Sequence, residues 1–233
     1  MRRQQGVALM MVLWVLMLLS MMLSGITLLL RGESRQALWD RQQTTAQLAA
    51  GAGISLAVQA MQQPATRRWQ AAGETHDLRF DGVRLRVTLR SERGLLDINS
   101  GDSGAVGQLL AACGASAAAP ALLARREQQP FRVTRELRSL PGVTASRFAC
   151  LSPHITVWSG MAQPDIAFAT PLLRRVLHLP LPGMAKGDPG QVLRVVSRAT
   201  LPGGRHRTLT VTLLLTHASA GDRPYRVLGW QEG

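Results

Sequence analysis

Arg2-Arg3-Gln4-Gln5-Gly6 leads directly into an apolar run from Val7 to Leu30 that contains no charged residue. At about 1.5 Å per helical residue this run would reach about 36 Å, which is enough to cross a bilayer with some tilt. Two arginines precede the run, and the longer part of the chain follows it. Because positive charge favours the cytoplasmic side of a membrane, the sequence predicts a single-pass protein with a cytoplasmic N-terminus and its body outside.

The residues around this run distinguish between kinds of N-terminal segment. A secretory signal peptide would have a shorter apolar core and a small-residue cleavage site behind it, and Leu28 to Glu33 offers no such site. A plain signal anchor is one interpretation. The other is a prepilin-type leader, residues 1–6, which a peptidase removes on the cytoplasmic side by cutting between Gly6 and Val7.

The helix is predicted to continue beyond the membrane-spanning segment. From Glu33 to Gln63 there is no proline, and good helix formers dominate. One mildly apolar face is predicted from the recurrence of Leu38, Thr45, Leu48, Ala52, Leu56 and Ala60. Gly51 and Gly53 would let another backbone approach, and Pro64 would end the helix. We therefore expect one long helix whose second half lies on a sheet.

Alternating residues predict that sheet. Asp77 to Phe80 and Val83 to Arg90 flank an Asp81-Gly82 turn, which is typical of a two-residue hairpin. Its apolar face would consist of Val83, Leu85, Val87 and Leu89, and its basic outer face of Arg84, Arg86, Thr88 and Arg90. Further strands are predicted at Gly94 to Asn99, at Val192 to Ala199, at Thr208 to Leu215 after a Pro202-Gly203-Gly204 turn, and at Tyr225 to Trp230.

Between the two groups of strands the pattern is helical and rich in loops. Short helices are predicted at Val106 to Cys113, at Ala121 to Gln128, after Thr144, and after Thr170-Pro171, and Thr134 is predicted to cap a turn that leads to Leu140. The order predicts an α+β fold, with a long N-terminal helix packed on an antiparallel sheet and a small α-helical domain inserted into that sheet. The predicted divisions are a leader at 1–6, a transmembrane helix at 7–30, an amphipathic helix and connection at 31–70, a sheet domain at 71–99 and 190–233, and the insertion at 100–189.

Charge and cysteine content set further expectations. The formal charge is +13, and Lys186 is the only lysine, so the surplus is arginine. Such an excess suits nucleic acid, anionic lipid headgroups or an acidic protein partner, although codon usage alone can favour arginine over lysine. The arginines are spread over the whole chain, which favours a generally basic surface. Cys113 and Cys150 would form a disulfide in an oxidising compartment, or else stay two separate buried thiols.

These segments together resemble the type IV pilin-like proteins, and more narrowly the general secretion pathway protein K family, the minor pseudopilins of type II secretion systems. Four stretches carry the resemblance along nearly the whole chain: Gly6-Val7-Ala8-Leu9 at the helix start, Gly94-Leu95-Leu96-Asp97-Ile98-Asn99, Leu137-Arg138-Ser139-Leu140-Pro141-Gly142-Val143-Thr144, and the closing Pro224-Tyr225-Arg226-Val227-Leu228-Gly229-Trp230. The chain is short for this family.

The resemblance implies a non-enzymatic subunit of a periplasmic pseudopilus, held in the inner membrane with its body in the periplasm. It implies cleavage after Gly6 by prepilin peptidase, methylation at Val7, and assembly with other minor and major pseudopilins at the fibre tip. Most pilins carry a glutamate at the fifth mature position, whereas this chain has Met11, as the K family does. A membrane anchor without any role in assembly would also explain Met11.

Other motifs give weaker expectations. The family resemblance admits calcium, but Asp97, Asp102, Asp165 and Asp188 are scattered, and no loop of closely alternating oxygen ligands is present, so no metal is predicted. Leu140-Pro141-Gly142 also has the shape of a helix-hairpin-helix, which with the positive charge makes a membrane-anchored DNA-binding protein the alternative function. Against DNA binding, Thr144 stands where a second glycine is usual.

Gly101-Asp102-Ser103-Gly104 resembles the nucleophile segment of trypsin-like proteases. That fold needs two β-barrels and a nearby histidine, and the only histidine before Ser103 is His76. The segment is instead predicted to be a turn that begins a helix. We therefore predict no catalytic residues and no cofactor.

Overall fold

The computed structural model describes residues 4–63, 69–181, 187–216 and 223–233, and in the first range it describes the side chains of residues 10–22, 36 and 38–63. The chain divides into two compact units, residues 1–45 and 46–233. The elements in chain order are α1 (Gln4–Gln62), β1 (Ala72–Phe80), β2 (Val83–Ser91), β3 (Leu96–Asp97), α2 (Ser103–Ala112), α3 (Ala119–Gln128), α4 (Ala145–Leu151), β4 (Ile155–Thr156), α5 (Pro171–Val176), β5 (Val192–Thr200), β6 (His206–Leu215) and β7 (Tyr225–Glu232). The predicted α+β class is confirmed.

The predicted long helix is confirmed as α1, but the face predicted to pack on the sheet is only partly right, because Leu56 packs against the core and other members of that face do not. Leu38 and Leu48, both assigned to that face, are exposed. The helix instead buries Ala46, Ala49, Ala50, Ile54, Ala57, Val58 and Met61. Small side chains let the helix lie close to the strands, and they carry little signal in a hydrophobicity pattern. Pro64, predicted to end the helix, lies outside the described residues.

Of the two glycines predicted to permit close approach, Gly53 does so. A Cβ atom at Gly53 would lie 2.2 Å from Ser197 Oγ and 3.1 Å from Val87 Cγ2, so only glycine fits against β2 and β5. A Cβ atom at Gly51 would meet nothing within 4 Å. Gly53 therefore marks a point of close contact between the helix and the sheet.

The five-stranded sheet has the order β1-β2-β5-β6-β7, and every pair of neighbours is antiparallel. The predicted hairpin is confirmed, because Phe80 pairs with Val83 across a turn in which Asp81 and Gly82 both have positive φ. That conformation matches the right-handed twist of the flanking strands. The predicted apolar positions of β2 are buried against α1, whereas Arg84 and Arg86 are exposed on the opposite face.

The third predicted strand exists, but it does not join this sheet. β3 pairs with β4 in a separate two-stranded parallel sheet, in which Leu96 lies opposite Ile155. Leu96 and Ile98 pack in a core of their own rather than under α1. The prediction failed because a parallel pairing of two residues, far apart in the chain, leaves no mark in local alternation.

The inserted region contains the predicted short helices, with one difference at a helix start. Thr144 caps α4 by accepting from the Arg147 amide, and Thr170 caps α5 by accepting from the Leu173 amide, as predicted. The turn at Thr134–Ser139 is a 3-10 helix instead, and Thr134 does not cap it, because Val133 occupies that position without a side-chain bond.

Two buried clusters stabilise residues 46–233. The first joins the second half of α1 to the inner face of the five-stranded sheet. The second joins β3, β4 and the helices of the inserted region around large side chains such as Leu109, Leu122 and Leu173. Each fully buried aliphatic side chain of this size contributes about 1.5–3 kcal/mol of transfer free energy. The inserted region therefore has a core of its own.

Candidate functional site

The first half of α1 carries a continuous series of exposed apolar side chains. Every residue from Met10 to Met22 is exposed, and Met11, at the predicted fifth mature position, has 71% of its surface accessible to solvent. A contiguous apolar surface is typical of a site that contacts a membrane or another protein. Gly6 and Val7 have helical backbone, but their side chains lie outside the described residues, so the cleavage site stays a prediction.

Among the helices, as far as they are described, none combines the length and the apolar character needed to cross a bilayer. The predicted span, residues 7–30, extends at both ends beyond the side chains that the structure describes. The membrane-spanning role of α1 therefore stays a prediction.

A buried ion pair lies where the chain leaves the sheet and later returns to it. Glu92 follows β2 and is fully buried, and its carboxylate accepts from Nε and Nη2 of Arg194 in β5, at 2.7 and 3.1 Å. The same guanidinium donates to the backbone carbonyls of Ser152 and Ile155, at 3.1 and 2.9 Å. A bidentate pair fixes orientation as well as charge. Arg194 therefore connects the five-stranded sheet to β4 in the inserted region, and we call this cluster the junction.

The junction holds more positive than negative charge. Arg90 is the cross-strand partner of Arg194, and its Nη1 is buried with no hydrogen-bond partner among the described residues. Burial, and then the charges of Arg194 and Arg174, lower the pKa of the Arg90 guanidinium. Burial also lowers the pKa of His154, and Arg90 and Arg194 add to the effect. His154 keeps one polar contact, from Nδ1 to Thr170 Oγ1, at 2.8 Å.

Asp97, the first of the calcium candidates, uses its carboxylate within the fold. Oδ1 accepts from the amides of Asn99 and Ser100, at 2.8 and 3.1 Å. Oδ2 accepts from the Gly160 amide at 2.9 Å and from the Ser159 hydroxyl at 3.3 Å. The side chain is buried, so these bonds satisfy the charge. Asp97 therefore holds the turn after β3 against the loop after β4.

The other three aspartates have separate roles from Asp97, and two of them lie beside the same arginine. Asp102 caps α2 by accepting from the Ala105 amide, which gives the Gly101–Gly104 segment its predicted role as a helix start. Asp165 and Asp188 each lie near Arg93, at 3.8 and 3.7 Å. In the described ranges of the chain, no three side chains of histidine, cysteine, aspartate or glutamate form a group that could hold a metal ion.

Cys113 and Cys150 are joined in the structure. Their sulfur atoms are 1.98 Å apart and their Cα atoms 5.8 Å, so the disulfide connects the end of α2 to α4 across 37 positions of the chain. The bridge lies at the surface of the second core. It closes the inserted region upon itself.

The turn at Leu140-Pro141-Gly142 is anchored by its first residue, while Pro141 and Gly142 are exposed. Leu140 is buried in the second core, and Gly142 has φ +83, with the position of a Cβ atom 3.4 Å from Ala117. The Val143 amide donates to the Leu140 carbonyl, and the Arg147 guanidinium donates to the Gly142 carbonyl. The Val143 amide is therefore not available to a nucleic-acid backbone.

The sequence did not reveal the junction. Glu92 is the only acidic residue between Asp81 and Asp97, and it stands between Arg90 and Arg93, which was the available signal. Its partner Arg194 lies 102 positions away, on a strand whose pairing with β2 the sequence did not indicate.

No protein-family model matches this sequence, and no curated protein matches it. Among solved structures, the chain is similar to one in the crystal structure of the GspK-GspI-GspJ complex from the type 2 secretion system of enterotoxigenic Escherichia coli. The TM-score is 0.59 at 15% sequence identity, and the match covers 85% of this chain and 99% of that one. At this identity the likeness concerns the fold.

Proposed function

We propose that the chain is a minor pseudopilin of a type II secretion system, a non-enzymatic assembly protein that serves at the tip of the pseudopilus as pseudopilin K. The observation that carries the proposal is the fold likeness to a chain of the GspK-GspI-GspJ complex, which extends over 85% of this chain. The leader-like residues 1–6 and the four family-like stretches agree with it.

The proposed mechanism depends on α1. Prepilin peptidase would cut after Gly6, Val7 would be methylated, and residues 7–30 would hold the chain in the inner membrane with its body in the periplasm. The exposed side chains from Met10 to Met22 would then exchange lipid for the helices of other minor and major pseudopilins. Lipid tails and apolar side chains are about equally apolar, so the exchange has no hydrophobic driving force and depends on van der Waals packing between helices.

Met11 supports the position at the tip. A carboxylate in the bilayer costs several kcal/mol unless it is paired, and in other pilins its partner is the N-terminal amine of a neighbouring subunit. A subunit with no neighbour above it gains nothing from such a carboxylate. Methionine at this position removes the cost and leaves an apolar helix surface.

Gly6→Ala tests the proposal. The full chain is produced with prepilin peptidase in a host that lacks its own copy of this subunit, and processing is followed by gel mobility. We expect Gly6→Ala to stay uncut and to fail to restore secretion, because the peptidase requires glycine before the cut. Gly25→Ala, within the same apolar run, should be cut normally. Cleavage of Gly6→Ala, or full secretion without cleavage, would contradict the proposal.

A further inference from the structure

The outer face of the five-stranded sheet, opposite α1, carries a cluster of arginines. Strand pairing brings them side by side, because Arg84 lies opposite Arg79 in β1, and Arg86 lies opposite Arg198 in β5. Cross-strand partners on one face have Cβ atoms about 5 Å apart. Arg79, Arg84, Arg86 and Arg198 are all exposed, and we call this set the arginine groove.

The surface between these side chains is concave. The arginine groove encloses a depression of about 560 Å³ whose lining also includes Asp77, Leu78 and Thr200. Asp77 is the one carboxylate there, and its Oδ1 lies 3.0 Å from Nε of Arg86. Within the described part of the chain, no carboxylate lies within ion-pair distance of Arg79, Arg84 or Arg198.

In the isolated chain, the repulsion between these arginines disfavours the folded state. Like charges directly opposite each other on neighbouring strands destabilise a sheet, and Arg86 and Arg198 are such a pair. Asp77 neutralises only one of the four cations. The groove therefore has an excess of positive charge. An anionic group bound among these side chains would relieve the repulsion, which favours a negatively charged partner.

We propose that the arginine groove binds an acidic, extended segment of another subunit of the assembly. The shape favours this occupant, because a concave depression admits a protruding segment, whereas a bilayer is flat. The chemistry agrees, because the planar guanidinium of arginine suits carboxylates, and the Asp77 carboxylate already pairs with Arg86.

The spacing of the arginines agrees as well. Arg84 and Arg86 are two residues apart on one strand, which separates them by about 6.6 Å. Alternate side chains on one face of an extended peptide have the same separation. A segment with acidic residues at every second position could therefore place successive carboxylates on successive arginines. The inference rests on the proposed function only for the statement that the partner is another subunit.

The test measures binding directly, independently of processing and secretion. The full chain in a nonionic detergent is titrated with a fluorescein-labelled hexapeptide that alternates glutamate and alanine, and anisotropy is recorded at low and at physiological salt. We expect Arg84→Gln combined with Arg198→Gln to weaken binding at least tenfold, which corresponds to about 1.4 kcal/mol. A control pair with the same charge change, Arg135→Gln with Arg226→Gln, alters exposed arginines outside the groove and should change affinity less than twofold.

A second test uses a variant that should bind the acidic peptide more tightly. Asp77→Asn removes the carboxylate that competes for Arg86, so the acidic peptide should bind about threefold more tightly, in line with the energy of one exposed ion pair. A peptide with glutamine in place of glutamate should not bind. These results would support the inference.

Three results would overturn it. One is equal weakening by the groove pair and the control pair, which would mean that a generally basic surface attracts the peptide. Another is no change, or weaker binding, in Asp77→Asn. The third is tighter groove-dependent binding of a short DNA duplex or of soluble dihexanoylphosphatidylglycerol than of the peptide, which would assign the groove to phosphate groups. Failure of the secretion assay alone would leave the peptide result standing.

Discussion

Arg194 places its guanidinium on acceptors from separate parts of the chain: the carboxylate of Glu92 and the carbonyls of Ser152 and Ile155. The charge is largely buried, and removing one partner of a buried pair leaves the other without compensation. At the scale of single residues, this guanidinium is therefore a buried polar link between the sheet and the inserted region.

Glu92→Gln should lower the free energy of unfolding by about 3 kcal/mol, because it leaves the Arg194 cation buried without its counter-charge. Urea unfolding followed by tryptophan fluorescence measures the loss. Combining Glu92→Gln with Arg194→Gln should cost less than the sum of the two single changes, since the pair is coupled. Asp77→Asn, which breaks an exposed pair, should cost less than about 1 kcal/mol. Strictly additive losses at Glu92 and Arg194 would contradict this account.

His154 should make stability depend on pH. Its pKa in the folded chain lies below the ordinary value of 6.5, chiefly through burial, so the unfolded chain binds the proton more readily. The contribution is therefore complete above pH 6.5 and is lost as pH falls from there through the lowered pKa. Unfolding free energies at pH 7.5 and 5.5 should differ less for His154→Asn than for the parent chain. His206→Gln, which alters an exposed histidine, should leave the difference as it is.

At the scale of elements, the contact between α1 and the sheet depends on the absence of a side chain at Gly53. Gly53→Ala should destabilise the chain by about 1–3 kcal/mol, because the added Cβ atom would overlap Ser197 Oγ. Gly51→Ala is the matched control two residues away, where a Cβ atom meets nothing. It should stabilise the helix by about 0.5–1 kcal/mol through helix propensity. Thermal unfolding followed by circular dichroism distinguishes the two, and equal shifts would refute the close contact.

The sequence predicted best the elements that are specified by a pattern of neighbouring residues. The alternation from Val83 to Arg90 and the Asp81-Gly82 turn specify a hairpin within a dozen residues, and the structure has it in the expected register. The packed face of α1 was partly missed because Leu48 is a stronger hydrophobic signal than Ala50, yet Ala50 is buried and Leu48 is exposed. Helix periodicity reports apolar area, so it undervalues the alanines that share this contact with Ile54, Val58 and Met61.

Long-range contacts account for the remaining differences. The parallel pairing of β3 with β4 and the ion pair of Glu92 with Arg194 join segments whose sequences carry no mark of each other. The sequence predicted part of the arginine groove, because it placed Arg84 and Arg86 on the outer face of β2. The depression itself depends on Arg79 and Arg198, and strand order had to be known before they could be placed beside it.

At the scale of the whole molecule, residues 46–233 contain two cores, and only the second is cross-linked by a disulfide. Replacing both Cys113 and Cys150 with alanine should destabilise the inserted region by about 3 kcal/mol, because a loop of 37 positions is no longer closed in the unfolded chain. Hydrogen exchange should become faster in α2 and α4, whereas amides of β5 and β6 should keep their protection.

Reduction of the parent chain provides the control for this prediction. It should reproduce the exchange pattern of the double alanine variant, and the variant itself should not respond to a reducing agent. Equal acceleration in both cores would mean that the sheet and the inserted region unfold as one unit, which would contradict independent stability of the second core.

The close contact at Gly53 also has a mechanical consequence. Flexible side chains normally act as a compliant layer between a helix and a sheet, and at Gly53 no side chain intervenes. A tensile force along α1 would have to drag the helix backbone past Ser197 and Val87, which stand on two interior strands, each hydrogen-bonded on both sides. Such a joint is stiff in shear. A tensile force on the helix would therefore be transmitted to the middle of the sheet with little elastic deformation at the contact.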